Sequence, residues 1–174
     1  EKYFKMGADK ISINSQIYHN PTLLKDSAKI YGRQSIVASV DFKYNLKAKI
    51  YEIFVDGGKT LVSKDIQSYL KQIEDLGAGE ILVNSLDRDG SRLGYDYNLH
   101  KIIKQNINLP IIVTGGVGSW SDFYAGDKAG LDALAASNIF HFFENSYVQA
   151  IKYLTDKGCN FRPPVHSKLT RSEI

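Results

Sequence analysis

Ile-Val-Ala-Ser-Val-Asp, residues 36–41, is a run of apolar and small residues that ends in a carboxylate. Four further runs have the same form, and they are Lys10–Asn14, Ile81–Asp89, Ile111–Gly116 and Ala133–Ser137. Enough chain separates successive runs for a crossover helix, so the five predicted strands should be parallel. This alternation predicts a (β/α) barrel, in which the carboxyl ends of the strands form the active face.

The length of the chain limits how much of a barrel it can form. With 174 residues, 43% of them hydrophobic, it is expected to fold as one domain with a sizeable core. Five βα units are too few for an eight-stranded barrel of roughly 250 residues. We therefore expect a partial TIM barrel over residues 1–162, covering about strands 4–8, and a polar tail over 163–174. The first three units are expected to be missing.

The composition disfavours several classes of function. The net charge of +3 comes from interspersed residues, whereas a nucleic-acid interface needs a basic stripe. A single cysteine, Cys159, fits a reducing cytoplasm, and no apolar run reaches membrane length. The four histidines lack metal-ligand spacing, and no third glycine follows Gly116 and Gly118 to complete a dinucleotide motif. We expect no metal, no cofactor, and no nucleic-acid or membrane partner.

Local patterns between the runs predict the remaining elements. They are a helix from Pro21 that ends at Gly32, a hairpin of Ile50–Val55 and Thr60–Val62 around Asp56-Gly57-Gly58, a helix over about 64–76, a helix through Ile102 and Ile103, a short helix at Asn138–His141, and a last helix capped by Ser146 that continues to about Lys157.

Asp41 is the first candidate for chemistry because it ends an otherwise apolar strand. A carboxylate there faces the barrel mouth, where apolar surroundings can fit it for proton transfer. The alternatives are a helix cap or an ion pair with Lys43. A catalytic role is the favoured interpretation, because charges at strand ends in such barrels are commonly functional.

The loop Asp87-Arg88-Asp89-Gly90 follows the next strand. Its carboxylates can bind sugar hydroxyls or assist acid–base chemistry, but loops are generally rich in Asp and Gly, so composition favours neither interpretation. Period-two alternation would point Asp87 and Asp89 the same way.

Small residues at other strand ends predict phosphate sites. Thr114-Gly115-Gly116 and Ala136-Ser137 combine glycines, which let backbone N–H groups approach an anion, with hydroxyl donors. The segment 7–14 has the same form as 130–137, so Asn14 with Ser15 is the candidate for a second phosphate.

Lys10 and Glu80 precede their strands and therefore lie at the opposite, N-terminal face. An inward charged plug and an exposed strand-start charge are equally compatible with the pattern.

Several segments together resemble a known family. They are Gly-Ala-Asp-Lys-Ile-Ser-Ile-Asn (7–14), Ala-Ser-Val-Asp (38–41), Gly-Ala-Gly-Glu-Ile-Leu-Val-Asn-Ser-Leu-Asp-Arg-Asp-Gly (77–90), Gly-Tyr-Asp (94–96), Pro-Ile-Ile-Val-Thr-Gly-Gly-Val-Gly (110–118) and Ala-Ala-Ser-Asn-Ile-Phe-His-Phe (135–142). In this order they resemble the cyclase subunit of imidazole glycerol phosphate synthase. The resemblance implies a two-fold-repeated (β/α)₈ barrel. It also implies that ammonia from a partner glutaminase reacts with a phosphorylated nucleotide, phosphoribulosyl-formimino aminoimidazole carboxamide ribonucleotide.

The resemblance also implies roles for individual residues. Asp41 matches one of two general acid–base aspartates. The other would lie in the missing units, so the fragment alone is expected to lack turnover. The substrate contacts are matched by Asn84, Asp89, Gly90 and Thr114; the phosphate contacts by Asn14, Ser15, Gly115, Gly116, Ala136 and Ser137; and the ammonia entrance and partner face by Asp9, Lys10 and Glu80.

Some positions depart from the commonest sequence of the family. Asn84 stands where many members have Thr, and Val117 and Asn138-Ile139 also differ. The segment 136–142 is closer to a paralogous branch that amidates sugars of surface polysaccharides, again with a glutaminase partner. That branch is the alternative function.

Overall fold

The computed structural model describes residues 1–63, 65–142 and 145–162. Its strands are β1 (Ile11–Ile13), β2 (Ile36–Asn45), β3 (Ile50–Val55), β4 (Thr60–Ser63), β5 (Glu80–Ser85), β6 (Ile111–Thr114) and β7 (Ala133–Leu134). Its helices are α1 (Lys2–Lys5), α2 (Gln16–His19), α3 (Pro21–Tyr31), α4 (Ile66–Asp75), α5 (Tyr97–Asn106), α6 (Trp120–Lys128) and α7 (Ser146–Asp156), with 3₁₀ turns at Arg33–Ser35 and Asn138–His141.

Five strands form a parallel sheet in the order β1-β2-β5-β6-β7. Helices connect successive parallel strands, and the hairpin β3–β4 is the one interruption of this alternation within the described residues. The predicted fold class, an α/β chain that forms part of a barrel, is confirmed. The predicted tail, residues 163–174, lies outside the described residues.

The strand β2 is longer than the sequence pattern predicted. Residues Ile36–Ala38 pair with β1, whereas Asp41–Asn45 pair on the same edge with the antiparallel strand β3. The prediction ended β2 at its first carboxylate, because the polar residues that follow show no apolar pattern. Backbone pairing with the hairpin, rather than side-chain burial, continues the strand.

The two faces of the parallel sheet differ in chemistry. Side chains directed at the helices, such as Ala38, Phe42 and Ile81, are fully buried. Burying a large apolar side chain such as Phe42 or Ile81 contributes roughly 1.5–3 kcal/mol. On the other face, Ser39 and Asn84 are only partly buried. The hydrophobic core therefore lies between sheet and helices, and the inner face of the partial barrel carries the polar groups.

The helix boundaries confirm some predictions and correct others. The helix α3 begins with Pro21 in its first turn and ends at Gly32, as predicted. The helix α4 begins later than predicted, after Asp65, whose carboxylate accepts a hydrogen bond from the Ser68 backbone N–H at 3.0 Å.

The predicted cap of the last helix was wrong. Asn145 holds the N-cap position, and the Ser146 hydroxyl instead donates to the Phe140 carbonyl at 3.0 Å. The run Ala133–Ser137 is a strand only over its first two residues, because the chain then turns into the 3₁₀ segment that follows Ser137.

Candidate active site

Three polar side chains form a row at the carboxyl end of the sheet. Asp41 pairs in register with Asn84, and Asn84 pairs with Thr114. Register partners in neighbouring parallel strands point to the same face, so these side chains share the inner face. Two strand spacings separate Asp41 from Thr114, a distance of about 10 Å.

Asp41 is a buried carboxylate, 6% exposed, and lies between an amide and an aromatic residue. Its Oδ1 accepts a hydrogen bond of 3.0 Å from the Asn84 side-chain amide, and on the other side its register partner is Phe54. Lys43 donates to the Gly58 carbonyl at 2.7 Å and lies 4.7 Å above the Phe54 ring. Neither structural alternative for Asp41 describes this arrangement: Asp41 lies inside β2 and caps no helix, and Lys43 is directed elsewhere.

A cavity of about 320 Å³ opens beside this row, at the ends of β6 and β7. Its lining brings together Asp89, Gly90, Arg92, Thr114, Gly115, Gly116, Val117, Gly118, Ala136, Ser137, Asn138, Ile139 and Phe142. The volume lies within the range of small-molecule sites. The residues predicted for one phosphate site are therefore neighbours in space; we call this space the phosphate cavity.

Gly115 and Gly116 shape the floor of the phosphate cavity, and their backbone conformations suit glycine alone. Both have φ in the left-handed region, +99° and +94°. A Cβ on Gly116 would lie 2.2 Å from the Gly94 carbonyl oxygen, and one on Gly115 would lie 2.8 Å from the Ser85 carbonyl oxygen. The Gly94 N–H also donates to the Gly116 carbonyl at 2.8 Å. The absence of side chains thus lets two loops meet beside the cavity.

The two carboxylates of the loop after β5 point to different places. Asp89 lines the phosphate cavity, whereas Asp87 accepts a hydrogen bond of 2.6 Å from the Tyr44 backbone N–H near the end of β2. The backbone N–H groups of Arg88 and Asp89 both donate to the Ser85 carbonyl, so the chain turns here. The expectation that strand alternation would align the two carboxylates was wrong.

A larger cleft, of about 850 Å³, lies between the hairpin and α5. Its buried carboxylate, Asp96, accepts hydrogen bonds from the Tyr51 hydroxyl at 2.9 Å and from the Leu99 backbone N–H at 3.1 Å. Burial, together with the hydrogen bond to Asp96, raises the pKa of Tyr51 above its ordinary value. These bonds anchor the hairpin to the start of α5, which gives Asp96 a structural role.

The second predicted phosphate pair lies at the other end of the row. The Asn14 side chain donates to the Ser39 hydroxyl at 3.3 Å, and the Ser15 hydroxyl donates to the Asn14 side-chain oxygen at 2.9 Å. Ser15 also accepts a hydrogen bond of 2.9 Å from the Asp56 backbone N–H in the hairpin turn. Asp41, on β2, therefore lies between this pair and the phosphate cavity in the strand order.

At the opposite end of the sheet, the Lys10 ammonium donates a hydrogen bond to the Glu80 carboxylate. Glu80 is the register partner of Val37, so the ion pair bridges the start of β2 from both sides. The Lys10 side chain is 47% exposed and that of Glu80 is 21% exposed. The two charges neutralise each other, and exposed Asp9 lies next to them in the chain.

Six residues that line the phosphate cavity were not among the predicted site residues, and two of them, Arg92 and Phe142, contact each other. The Arg92 guanidinium carbon lies 5.6 Å from the centroid of the Phe142 ring. Arg92 could have been found from the sequence as a cation three residues after Asp89 in the same polar loop.

The part of the chain that the structure describes offers neither a metal cluster nor a membrane span. Residues 1–63, 65–142 and 145–162 contain no group of three or more His, Cys, Asp or Glu side chains able to hold a metal ion. None of the helices in these ranges combines the length and apolarity that crossing a membrane requires.

Comparison with known proteins relates the chain to one enzyme family. A family profile described as "Histidine biosynthesis protein" matches residues 1–146. The chain is 40% identical over 159 residues to imidazole glycerol phosphate synthase subunit HisF of Pyrobaculum aerophilum, an alignment that covers 91% of this chain and 62% of the relative. It is 41% identical over 157 residues to the subunit of the same name from Dictyoglomus thermophilum, covering 90% and 62%. For the Leuconostoc mesenteroides subunit, the identity is 39% over 162 residues, covering 92% and 64%.

The chain therefore spans less than two thirds of the length of these curated relatives. The resemblance drawn from the sequence motifs is confirmed by matches along nearly the whole of the chain. The chain belongs to the histidine biosynthesis protein family.

Proposed function

We propose that this chain belongs to the cyclase subunit of imidazole glycerol phosphate synthase. The reaction uses glutamine-derived ammonia to convert phosphoribulosyl-formimino aminoimidazole carboxamide ribonucleotide to imidazole glycerol phosphate and aminoimidazole carboxamide ribonucleotide. The observation that carries the proposal is the place of Asp41 on one polar face, between two groups of residues suited to phosphate.

The length of the inner face suits a substrate with a phosphate at each end. We propose that Gly115, Gly116, Ala136 and Ser137 hold one phosphate and that Asn14 and Ser15 hold the other. The β1 and β6 strands are three spacings apart in the sheet order, which corresponds to roughly 14 Å. In this arrangement Asn84, Asp89, Gly90 and Thr114 contact the middle of the substrate.

Asp41 supplies the proton transfers in this proposal. Adding ammonia to a carbonyl carbon with loss of water, closing the imidazole ring and releasing the aminoimidazole carboxamide ribonucleotide from the formimino carbon each move protons at the reacting atoms. With Oδ1 held by the Asn84 amide, Oδ2 is the oxygen that exchanges a proton with the substrate. Proton transfer by a positioned carboxyl group contributes typically about 10²–10⁴-fold to the rate. The family resemblance supplies a second aspartate, at the end of the first barrel strand, to complete the acid–base pair.

The Lys10–Glu80 ion pair marks the proposed ammonia entrance. The pair lies at the amino ends of the strands, level with Val37. Val37 and Asp41 are four residues apart along β2, so the pair lies roughly 13 Å from Asp41 in the strand direction. We propose that a partner glutaminase docks around Asp9 at this end and releases ammonia toward Asp41. A cytoplasmic location is part of the proposal and rests on the single cysteine of the chain.

Steady-state cyclase assays of the full-length protein with ammonium salt and the ribonucleotide test the function. Asp41→Asn should lower kcat about 10²–10⁴-fold. Asp26→Asn, on the exposed side of α3, is the matched control and should keep wild-type turnover. Undiminished turnover in Asp41→Asn would overturn the role of Asp41. If the wild-type protein does not convert the ribonucleotide but supports amidation of a sugar, the result would instead favour the paralogous function.

A further inference from the structure

Arg92 carries the only positive side-chain charge among the described residues that line the phosphate cavity. The groups proposed to hold the phosphate there are neutral backbone N–H donors and the Ser137 hydroxyl, and Asp89 adds a negative charge. A phosphate monoester carries about −1.5 to −2 charges near neutral pH. The charge balance of an occupied cavity therefore depends on Arg92.

The backbone of Arg92 is held in a conformation that residues with a Cβ seldom adopt. Its φ is +61°, in the left-handed region. The space for this arrangement comes from Gly118, since a Cβ on that glycine would lie 2.7 Å from the Cβ of Arg92. Arg88 donates to the Leu93 carbonyl at 2.9 Å, which fixes the next residue. Backbone strain of this kind persists where the surroundings impose it, and it clusters at binding sites.

Phe142 is the platform for the Arg92 side chain. Phe142 is 61% exposed, and the guanidinium carbon lies 5.6 Å from the centroid of its ring, within the range of a cation–π contact. Phe142 ends the 3₁₀ segment that starts after Ser137, so the platform and a phosphate donor belong to one short stretch of chain. The aromatic ring holds the cation at the rim of the phosphate cavity.

We propose that Arg92, supported by Phe142, makes the phosphate cavity select the dianion of a phosphate monoester over its monoanion. This inference rests on the proposed phosphate role of the cavity. A planar guanidinium can donate two parallel N–H bonds to two phosphate oxygens and balances the second negative charge. Protonating the phosphate removes one negative charge and turns one of its three terminal oxygens into an O–H donor, which the N–H donors of the cavity cannot match, so affinity falls as the pH drops below the second ionisation near pH 6.

The probe is glycerol 3-phosphate, titrated into the full-length protein from pH 5.5 to 8. The amide resonances of Gly115 and Gly116 report binding, because they lie in this cavity and not at Asn14 and Ser15. In the wild type, affinity should rise with pH through the second ionisation of the ligand. Arg92→Gln should weaken binding about tenfold or more at pH 7.5 and flatten this pH dependence.

Two further variants keep the test decisive if Arg92→Gln does not fold. Arg92→Lys keeps the charge, so it should keep the pH dependence while losing affinity through the missing second N–H bond. Phe142→Leu should weaken binding only about threefold, because it removes the platform and leaves the cation. Lys157→Gln is the matched control, since it removes an equal charge and a cation–π contact, to Tyr153, elsewhere.

In steady-state assays, Arg92→Gln should raise the KM of the ribonucleotide and change kcat by less than about twofold. Wild-type affinity and an unchanged pH dependence in Arg92→Gln would overturn the inference and leave the proposed function standing. If glycerol 3-phosphate does not shift the Gly115 and Gly116 amide resonances of the wild type, the cavity does not bind phosphate, and both its proposed phosphate role and this inference are wrong.

Discussion

The side-chain amide of Asn84 donates a hydrogen bond of 3.0 Å to Oδ1 of Asp41, its register partner on the neighbouring strand. This contact fixes the rotation of the carboxyl group on the inner face of the sheet. The family resemblance gave Asn84 a contact with substrate, whereas the geometry gives it a second task, which is to orient the proposed acid–base residue.

Replacing Asn84 tests this orienting role. Asn84→Leu keeps the volume and removes the donor, and a hydrogen bond to a charged group contributes about 1.5–3 kcal/mol. We expect kcat of the ammonium-driven reaction to fall about tenfold or more, a larger change than the loss of the substrate contact makes to KM. Asn84→Thr, which keeps a hydroxyl donor, should lose less, and Asn98→Leu on the exposed surface of α5 is the control. A raised KM with unchanged kcat would show that Asn84 serves substrate binding alone.

Gly116→Ala should be more harmful to stability than Gly90→Ala. Both glycines have positive φ, so each alanine costs about 1–2 kcal/mol of backbone strain. At Gly116 the new Cβ would also meet the Gly94 carbonyl oxygen at 2.2 Å, whereas at Gly90 nothing lies within 4 Å. Overpacking adds about 1–3 kcal/mol at Gly116. Urea unfolding of the full-length protein measures the difference, and equal losses for the two variants would show that the close contact relaxes freely.

The Lys10–Glu80 ion pair predicts a difference between two sources of ammonia. Lys10→Glu places like charges at the proposed entrance, so glutamine-driven turnover in the glutaminase complex should fall about tenfold. Turnover with ammonium salt should persist, because free ammonia can reach Asp41 from the open active face. The double variant Lys10→Glu, Glu80→Lys restores opposite charges and should restore much of the glutamine-driven rate. Equal losses with both ammonia sources would contradict a role at the entrance.

His100 predicts a pH dependence of stability. Its Nε2 is buried and has no hydrogen-bond partner among the described residues. Burial lowers the pKa of His100 below its ordinary value of 6.5; nearby Asp132 opposes this shift, and Lys104 adds to it. Between the folded and unfolded pKa values the unfolded chain binds more protons, so the free energy of unfolding should fall as the pH drops from 7 to 5.

The comparison that isolates this effect is urea unfolding at pH 5, 6 and 7 for His100→Gln and for His141→Gln at an exposed position. The first variant should lose part of the pH dependence, and the second should keep it. Identical pH profiles for wild type and His100→Gln would refute the prediction.

The main features of the fold could be predicted because they depend on local patterns. The apolar runs ending in Asp41, Asn84 and Thr114 are buried on one face and polar at their carboxyl ends. Parallel pairing then places these ends in one row. The alternation of strand and helix patterns and the lengths of the crossovers are sufficient for this prediction.

The remaining features depend on contacts between distant segments. The extension of β2 to Asn45 requires β3 as a partner, and the direction of Asp87 requires the Tyr44 N–H in that extension. The position of Arg92 requires a positive φ and an unoccupied space beside Gly118, neither of which a single residue type reveals. Ser146 was mistaken for a cap because its acceptor, the Phe140 carbonyl, belongs to the preceding turn.

The strand β2 gives one edge to two neighbours, β1 along its first residues and β3 along its last. Its other edge is held by β5 only as far as Phe42. Beyond that point β2 has no ladder pair with a parallel strand, and its Tyr44 N–H donates instead to the Asp87 side chain in the loop after β5. A longer or shorter β3–β4 hairpin should therefore alter the edge of the site beside Asp41 without shifting the register of Asp41, Asn84 and Thr114.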